Sequence, residues 1–116
     1  MTDQDPTQLI VTIVSQGHAS RIVEAAKSAG ARGGTIVRGR GSGVHESSRF
    51  LGVAIEPEKE LVLVLIARSL TDTVMDAIVE AGRLKEPGRG ISFVLDVPRV
   101  EGIAQPDSAP TNAAPR

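Results

Sequence analysis

Leu61-Val62-Leu63-Val64-Leu65-Ile66-Ala67 is apolar at every position. Successive side chains of a strand point to opposite faces, so this run presents apolar surface on both sides. It reads as a central strand that needs cover on each face. Upstream, Glu56-Pro57-Glu58-Lys59 introduces it. Downstream, Ser69-Leu70-Thr71-Asp72 has the spacing of a capping box, with Asp in place of Glu. A helix is then predicted over Thr71–Ala81, with Val74, Ile78 and Ala81 on one face, Met75 beside them and Gly82 ending it.

Further outward the pattern repeats. Leu9 to Val14 reads as a buried strand, followed by a turn at Gly17-His18-Ala19-Ser20. Apolar spacing predicts a helix over Ala19–Ala29, stopped by Gly30. Gly33-Gly34-Thr35-Ile36-Val37 opens a second strand, which runs into Arg38-Gly39-Arg40-Gly41-Ser42-Gly43. Val44 to Gly52 reads as the far side of a loop. Gly88-Arg89-Gly90 is a second glycine-rich turn, and Ile91 to Val97 is the last strand. The order is that of an α+β, ferredoxin-like βαββαβ sandwich, with a four-stranded antiparallel sheet and two helices on one face. No third helix is available for the other face. Identical subunits are therefore expected to cover it, which makes an oligomer part of the fold.

The 116 residues suit one domain. Residues 1–7 and the Pro/Ala-rich 104–116 read as flexible tails around a domain at 8–103. No run approaches the ~20 apolar residues of a membrane span. The polar first residues do not resemble a secretion signal, and a cytoplasmic location with no direct membrane insertion is expected. The chain has no Cys, Trp or Tyr, and its aromatics are Phe50 and Phe93. Disulfides, Cys-ligated metals and thiol nucleophiles are excluded. Few aromatics and a net charge of -1 argue against nucleic acid as a partner.

Catalytic patterns are sparse. His18 and His45 are not at metal-binding spacing, and Ser42 lies between glycines with no partner base in view. His18, where a helix begins, reads as a capping or surface residue. Glu56, Glu58 and Glu60 around Lys59 read as a solvated strand edge, or as neighbours that set the field of a ligand-reaching lysine. The glycine-rich turns carry more. Each joins close backbone approach to a cation, Arg40 before Gly41-Ser42-Gly43 and Arg89 between Gly88 and Gly90. Free amides and a guanidinium can hold a phosphate. Turn geometry alone also uses such glycines, and spacing does not separate the two.

Gly30-Ala31-Arg32-Gly33-Gly34-Thr35, Arg40-Gly41-Ser42-Gly43 and Gly88-Arg89-Gly90, leading into Phe93-Val94-Leu95-Asp96-Val97-Pro98-Arg99-Val100, resemble the nitrogen-regulatory P-II signal-transduction family. The resemblance runs in order over about residues 9–103. It implies a homotrimer that binds an adenine nucleotide between subunits and touches a target through a mobile loop. It implies that Ile13, Gly33, Gly34, Thr35 and Leu65 line an adenine pocket. Arg40, Gly41 and Gly43 stand at a Lys-Gly-Phe-Gly motif that meets the nucleotide, and Lys59 at a basic residue ending the loop. Gly88, Arg89 and Gly90 match a phosphate-holding Gly-Asp-Gly turn. Arg38, Ser42, His45, Glu46 and Arg49 fall on the partner-binding loop, His45 in place of a glutamine.

There are departures. The loop is shortened and lacks the tyrosine that many members modify. Ile91, Gly102 and Ala104 replace three family cations, which leaves less charge for a triphosphate. The expectation is a P-II-like regulator of nitrogen or carbon metabolism, not an enzyme. AMP, ADP, ATP or cyclic AMP would be its effector, held by aliphatic contacts, with no 2-oxoglutarate sensing carried over. Its target would be a membrane transporter or a metabolic enzyme. A small trimeric enzyme with slow nucleotide hydrolysis and a metal-responsive trimer are the alternatives. No metal ligands are assigned.

Overall fold

A computed structural model describes residues 5–42, 49–50, 53–54 and 56–102. Its elements are β1 (Thr7–Ser15), α1 (Ala19–Ser28), β2 (Thr35–Arg40), β3 (Arg49–Phe50), β4 (Val53–Ala54), β5 (Glu58–Ala67), α2 (Arg68–Gly82) and β6 (Gly90–Val97). The main sheet has the order β2-β5-β1-β6, with every neighbouring pair antiparallel. Strand β5 lies between β2 and β1, as in the split βαβ arrangement expected from the sequence. The short β3–β4 hairpin lies in the connection between β2 and β5, where the sequence predicts a loop.

One face of the sheet carries both helices. Ile10 and Val14 of β1 and Val62, Val64 and Ile66 of β5 pack with Ala19, Ile22, Ala26, Val74 and Ile78. These strand residues share one parity, so the other parity of the apolar run points away from the helices. There Leu61, Leu63 and Leu65 meet Ile13, Val11 and Leu9 in register. This second face stays open in the single chain: Leu65 is 44%, Leu95 48%, Ile91 56%, Phe93 39% and Val37 41% exposed. Full burial of such a side chain is worth about 1.5–3 kcal/mol relative to full exposure, and roughly half of that remains to be gained at each, which favours covering the face.

Several boundaries move for physical reasons. Strand β5 begins at Glu58, because Glu58, Lys59 and Glu60 pair with Arg40, Gly39 and Arg38. Arg38 and Arg40 thus lie in a strand, not in a loop. Helix α2 begins at Arg68, directly after β5, and the Ser69–Asp72 capping box is unused. Its first amides are satisfied from the N-terminal segment: Arg68 N–H donates to the Pro6 carbonyl and Ser69 N–H to Asp5 Oδ1. The Ser69 hydroxyl donates to the same carboxylate. Asp5, Pro6 and Thr7, assigned by composition to a tail, are therefore engaged with the fold. Gly82 is the last residue of α2, and the left-handed position is Arg83, with φ 54°. A Cβ on Gly82 would lie 3.0 Å from Ile22 Cδ1, so this glycine lets the helices approach.

Candidate functional site

The antiparallel register brings four strand ends together. One row across the sheet is Arg38, Glu60, Val14 and Gly90, and the next holds Gly39, Lys59 and Ser15. Arg40 stands opposite Glu58, and Gly41 N–H donates to the Pro57 carbonyl at 3.1 Å. The stem of the β2–β5 connection is thus closed by backbone pairing up to Gly41. Parity puts Arg38, Arg40, Glu58 and Glu60 on the helix side and Lys59 on the open side.

Glu60 is the residue that sequence reasoning misread. It is buried, not a solvated strand edge. Its Oε1 accepts the Gly17 and Ala19 N–H groups, each at 3.0 Å. His18 occupies the N-cap position of α1, yet its side chain makes no capping bond. Glu60 supplies that cap from another strand, at the positive end of the helix. The Ala19 bond holds its carboxyl below the ordinary value of 4.5. Burial opposes the shift, and the Gly17 bond, the Arg38 charge and the His18 amide support it. A local sequence signal does exist: Arg38-Gly39-Arg40 and Glu58-Lys59-Glu60 alternate with the same period of two.

The Gly88–Gly90 turn reaches the same end of the sheet. Gly88 and Gly90 have φ of +79° and +142°. A Cβ on Gly90 would come within 2.5 Å of the Ile13 carbonyl, so β6 joins β1 only with glycine there. Arg89 Nε donates to the Gly82 carbonyl at 3.4 Å, which satisfies an acceptor at the end of α2. Gly33 and Gly41 differ from Gly90. Neither has a positive φ, and a Cβ on either would meet nothing within 4 Å. Gly34 is closer to need, with Val64 Cγ2 at 3.3 Å from such an atom.

Arg38, Arg40, Gly41 and Lys59 at one edge of the sheet and Gly88, Arg89 and Gly90 at the other thus lie at the same end, about 14 Å apart across three strand spacings, with Ser42 next along the chain. The residues named for adenine are more dispersed. Ile13 sits beside Leu61, Thr35 beside Leu63 and Leu65 beside Leu9, all on the open face. From the Ile13 row to Leu65 is about 13 Å along β5. Gly33 and Gly34 precede β2 at its far end. In one chain these residues form a strip, not a closed pocket. Gly43, His45 and Glu46 lie outside the described residues, as does the side chain of Arg49. A groove of about 550 Å³ lies elsewhere, between the helices, lined by Ala25, Ser28, Ala29, Asp76, Ala77, Glu80 and Ala81. Among the described residues no group of three or more His, Cys, Asp or Glu is placed to hold a metal ion. No described helix is long and apolar enough to cross a membrane.

Comparison with known proteins bears on this geometry. The profile of the family described as Nitrogen regulatory protein P-II matches residues 7–106. No curated protein matches the chain. Among solved structures, a Bacillus cereus protein related to NIF3 is similar in fold, with a TM-score of 0.66 and 22% identity. The match covers 84% of this chain and 27% of that one, so the likeness concerns one part of a longer protein.

Proposed function

The chain belongs to the nitrogen regulatory protein P-II family, and from that premise we propose that it is a trimeric signal-transduction regulator with an adenine nucleotide as effector. P-II proteins are generally regulators rather than enzymes, which fits a chain whose catalytic patterns are sparse. The observation that carries the reading is the gathering of loop stem, Lys59 and Gly88–Gly90 turn at one end of the sheet, beside an uncovered apolar face.

In this reading two further copies cover the open face. The Ile13, Thr35 and Leu65 strip then forms one wall of a cleft, with Gly33 and Gly34 at its far edge. The base rests on aliphatic side chains, since the chain has no Tyr or Trp. Lys59 and the Gly90 turn serve the phosphate end, with Arg40 at the same end of the sheet on its helix side. Gly41 leaves room for the ligand, since a Cβ there would meet nothing within 4 Å. The ligand contacts one state of the connection between β2 and β5 and not others, and so shifts affinity for a target transporter or metabolic enzyme. Ser42, His45, Glu46 and Arg49 are the target-facing residues of that connection, and Arg38 stands in β2 at its base. The protein acts in the cytoplasm.

Isothermal titration against AMP, ADP, ATP and cyclic AMP tests the proposal. Saturable heat with at least one of them is expected. No heat with any, at millimolar ligand, removes nucleotide binding from the account.

A further inference from the structure

The groove between the two helices has a volume of about 550 Å³. Its floor is small and apolar: Ala25 and Ala29 of α1 with Ala77 and Ala81 of α2, all half-buried. Alanine keeps that floor low, so the ridge of a third helix can settle between the two. The groove lies on the side of the sheet that carries the helices. It therefore stays accessible when the open apolar face is covered by further copies.

One rim carries charge of a single sign. Asp72, Asp76 and Glu80 follow one another at four-residue spacing on α2, all exposed, and the last two line the groove. The row is about 12 Å long. Like charges at this spacing repel, and Glu80 sits in the last turn of α2, where the helix dipole disfavours an acid. Among the described residues no ion pair neutralises the row, and Arg83, three residues beyond it, is paired with Glu86. Ser28, on the opposite rim, is neutral. Nothing within the chain offsets the repulsion, so the row is suited to charge from outside.

This combination defines its complement. A stripe of small aliphatic side chains on an incoming helix fits the floor, and Lys or Arg one turn apart beside the stripe meets the carboxylates. Nucleic acid and anionic membrane are repelled by the same rim. We propose that the groove between α1 and α2 docks a basic amphipathic helix of a partner protein, on a surface separate from the β2–β5 connection. The inference stands apart from the nucleotide reading.

The test is methyl-resolved NMR titration of the full chain with a designed helical peptide that carries an alanine–leucine stripe flanked by lysines. Saturable shifts centred on Ala25, Ala29, Ala77 and Ala81 are expected, with affinity falling as salt rises. The combined Asp72→Asn, Asp76→Asn and Glu80→Gln variant is expected to bind on the order of tenfold more weakly, and Asp76→Asn alone about twofold to threefold. Thermal melting checks that each variant is folded. The same peptide with glutamate in place of lysine is expected to leave the alanine methyls unmoved. Three results overturn the inference: no saturable shift at millimolar peptide, equal binding by the folded combined variant, or equal binding of the glutamate peptide. Spermidine alone reproducing the alanine shifts also overturns it, since a free polyamine then accounts for the acidic rim without a helix.

Discussion

Glu60 of β5 accepts the Ala19 N–H at 3.0 Å and so caps helix α1 across 41 positions of sequence. The helix has no acidic residue in its first turn and no side-chain cap of its own. Removing the carboxylate leaves the Gly17 and Ala19 amides without this acceptor. Glu60→Ala is expected to lower Tm by several degrees, and Glu60→Gln by less, because the amide oxygen still accepts. Thermal unfolding followed by circular dichroism checks the order of the three proteins.

The same carboxylate has a consequence for pH. Its folded value lies below the ordinary 4.5, so the folded state binds this proton less readily than the unfolded chain does. Its stabilising contribution is present above 4.5 and is lost as pH falls through the lowered folded value. Glu60→Gln is expected to flatten the acid limb of a stability-against-pH curve below 4.5. An acid limb of equal slope in both proteins contradicts this.

Asp5 does for α2 what Glu60 does for α1. Its carboxylate accepts from the Ser69 amide and hydroxyl, on an exposed surface. Asp5→Ala is expected to cost about 0.5–1 kcal/mol in denaturant unfolding. Ser69→Ala keeps the backbone bond and is expected to cost less.

These two caps show what can and cannot be read from one sequence. Leu61 to Ala67 revealed a two-faced central strand because the signal lies within seven neighbours. Gly30 and the apolar spacing of Ile22 and Ala26 placed α1 for the same reason. Glu60 and Asp5 find their amides 41 and 64 positions away, so no local window contains both partners. The Ser69–Asp72 box did contain a local signal and was overridden, because β5 passes into α2 at Ala67 without a turn. The loop stem and the Gly88–Gly90 turn, proposed for the phosphate side, are marked in the sequence by their glycines. Which glycine serves the fold is not legible there, since a φ of +142° and the close approach of β6 to Ile13 are what separate Gly90 from Gly41.

That separation is testable. Gly90→Ala forces a Cβ to within 2.5 Å of the Ile13 carbonyl at a φ of +142°. It is expected to destabilise the chain by about 1–3 kcal/mol or to prevent folding. Gly41→Ala meets nothing within 4 Å. It is expected to leave stability within about 0.5 kcal/mol and to weaken nucleotide binding. A Gly41→Ala protein with unchanged affinity removes Gly41 from the site.

The open face makes its own prediction. Leu65 and Leu95 are exposed large apolar residues on the face that lacks helices. Leu95→Asp places a charge where a second copy is proposed to pack, and desolvating it there is costly. Light scattering coupled to size exclusion is expected to show three chain masses for the parent and a loss of that species in the variant. A parent that runs as one chain mass contradicts the assembly.

Native mass spectrometry, at increasing adenine nucleotide, tests assembly and ligand together. A trimer that gains up to three nucleotide masses is the predicted spectrum. A single chain, or a trimer that takes up no nucleotide at millimolar concentration, would contradict the proposed function.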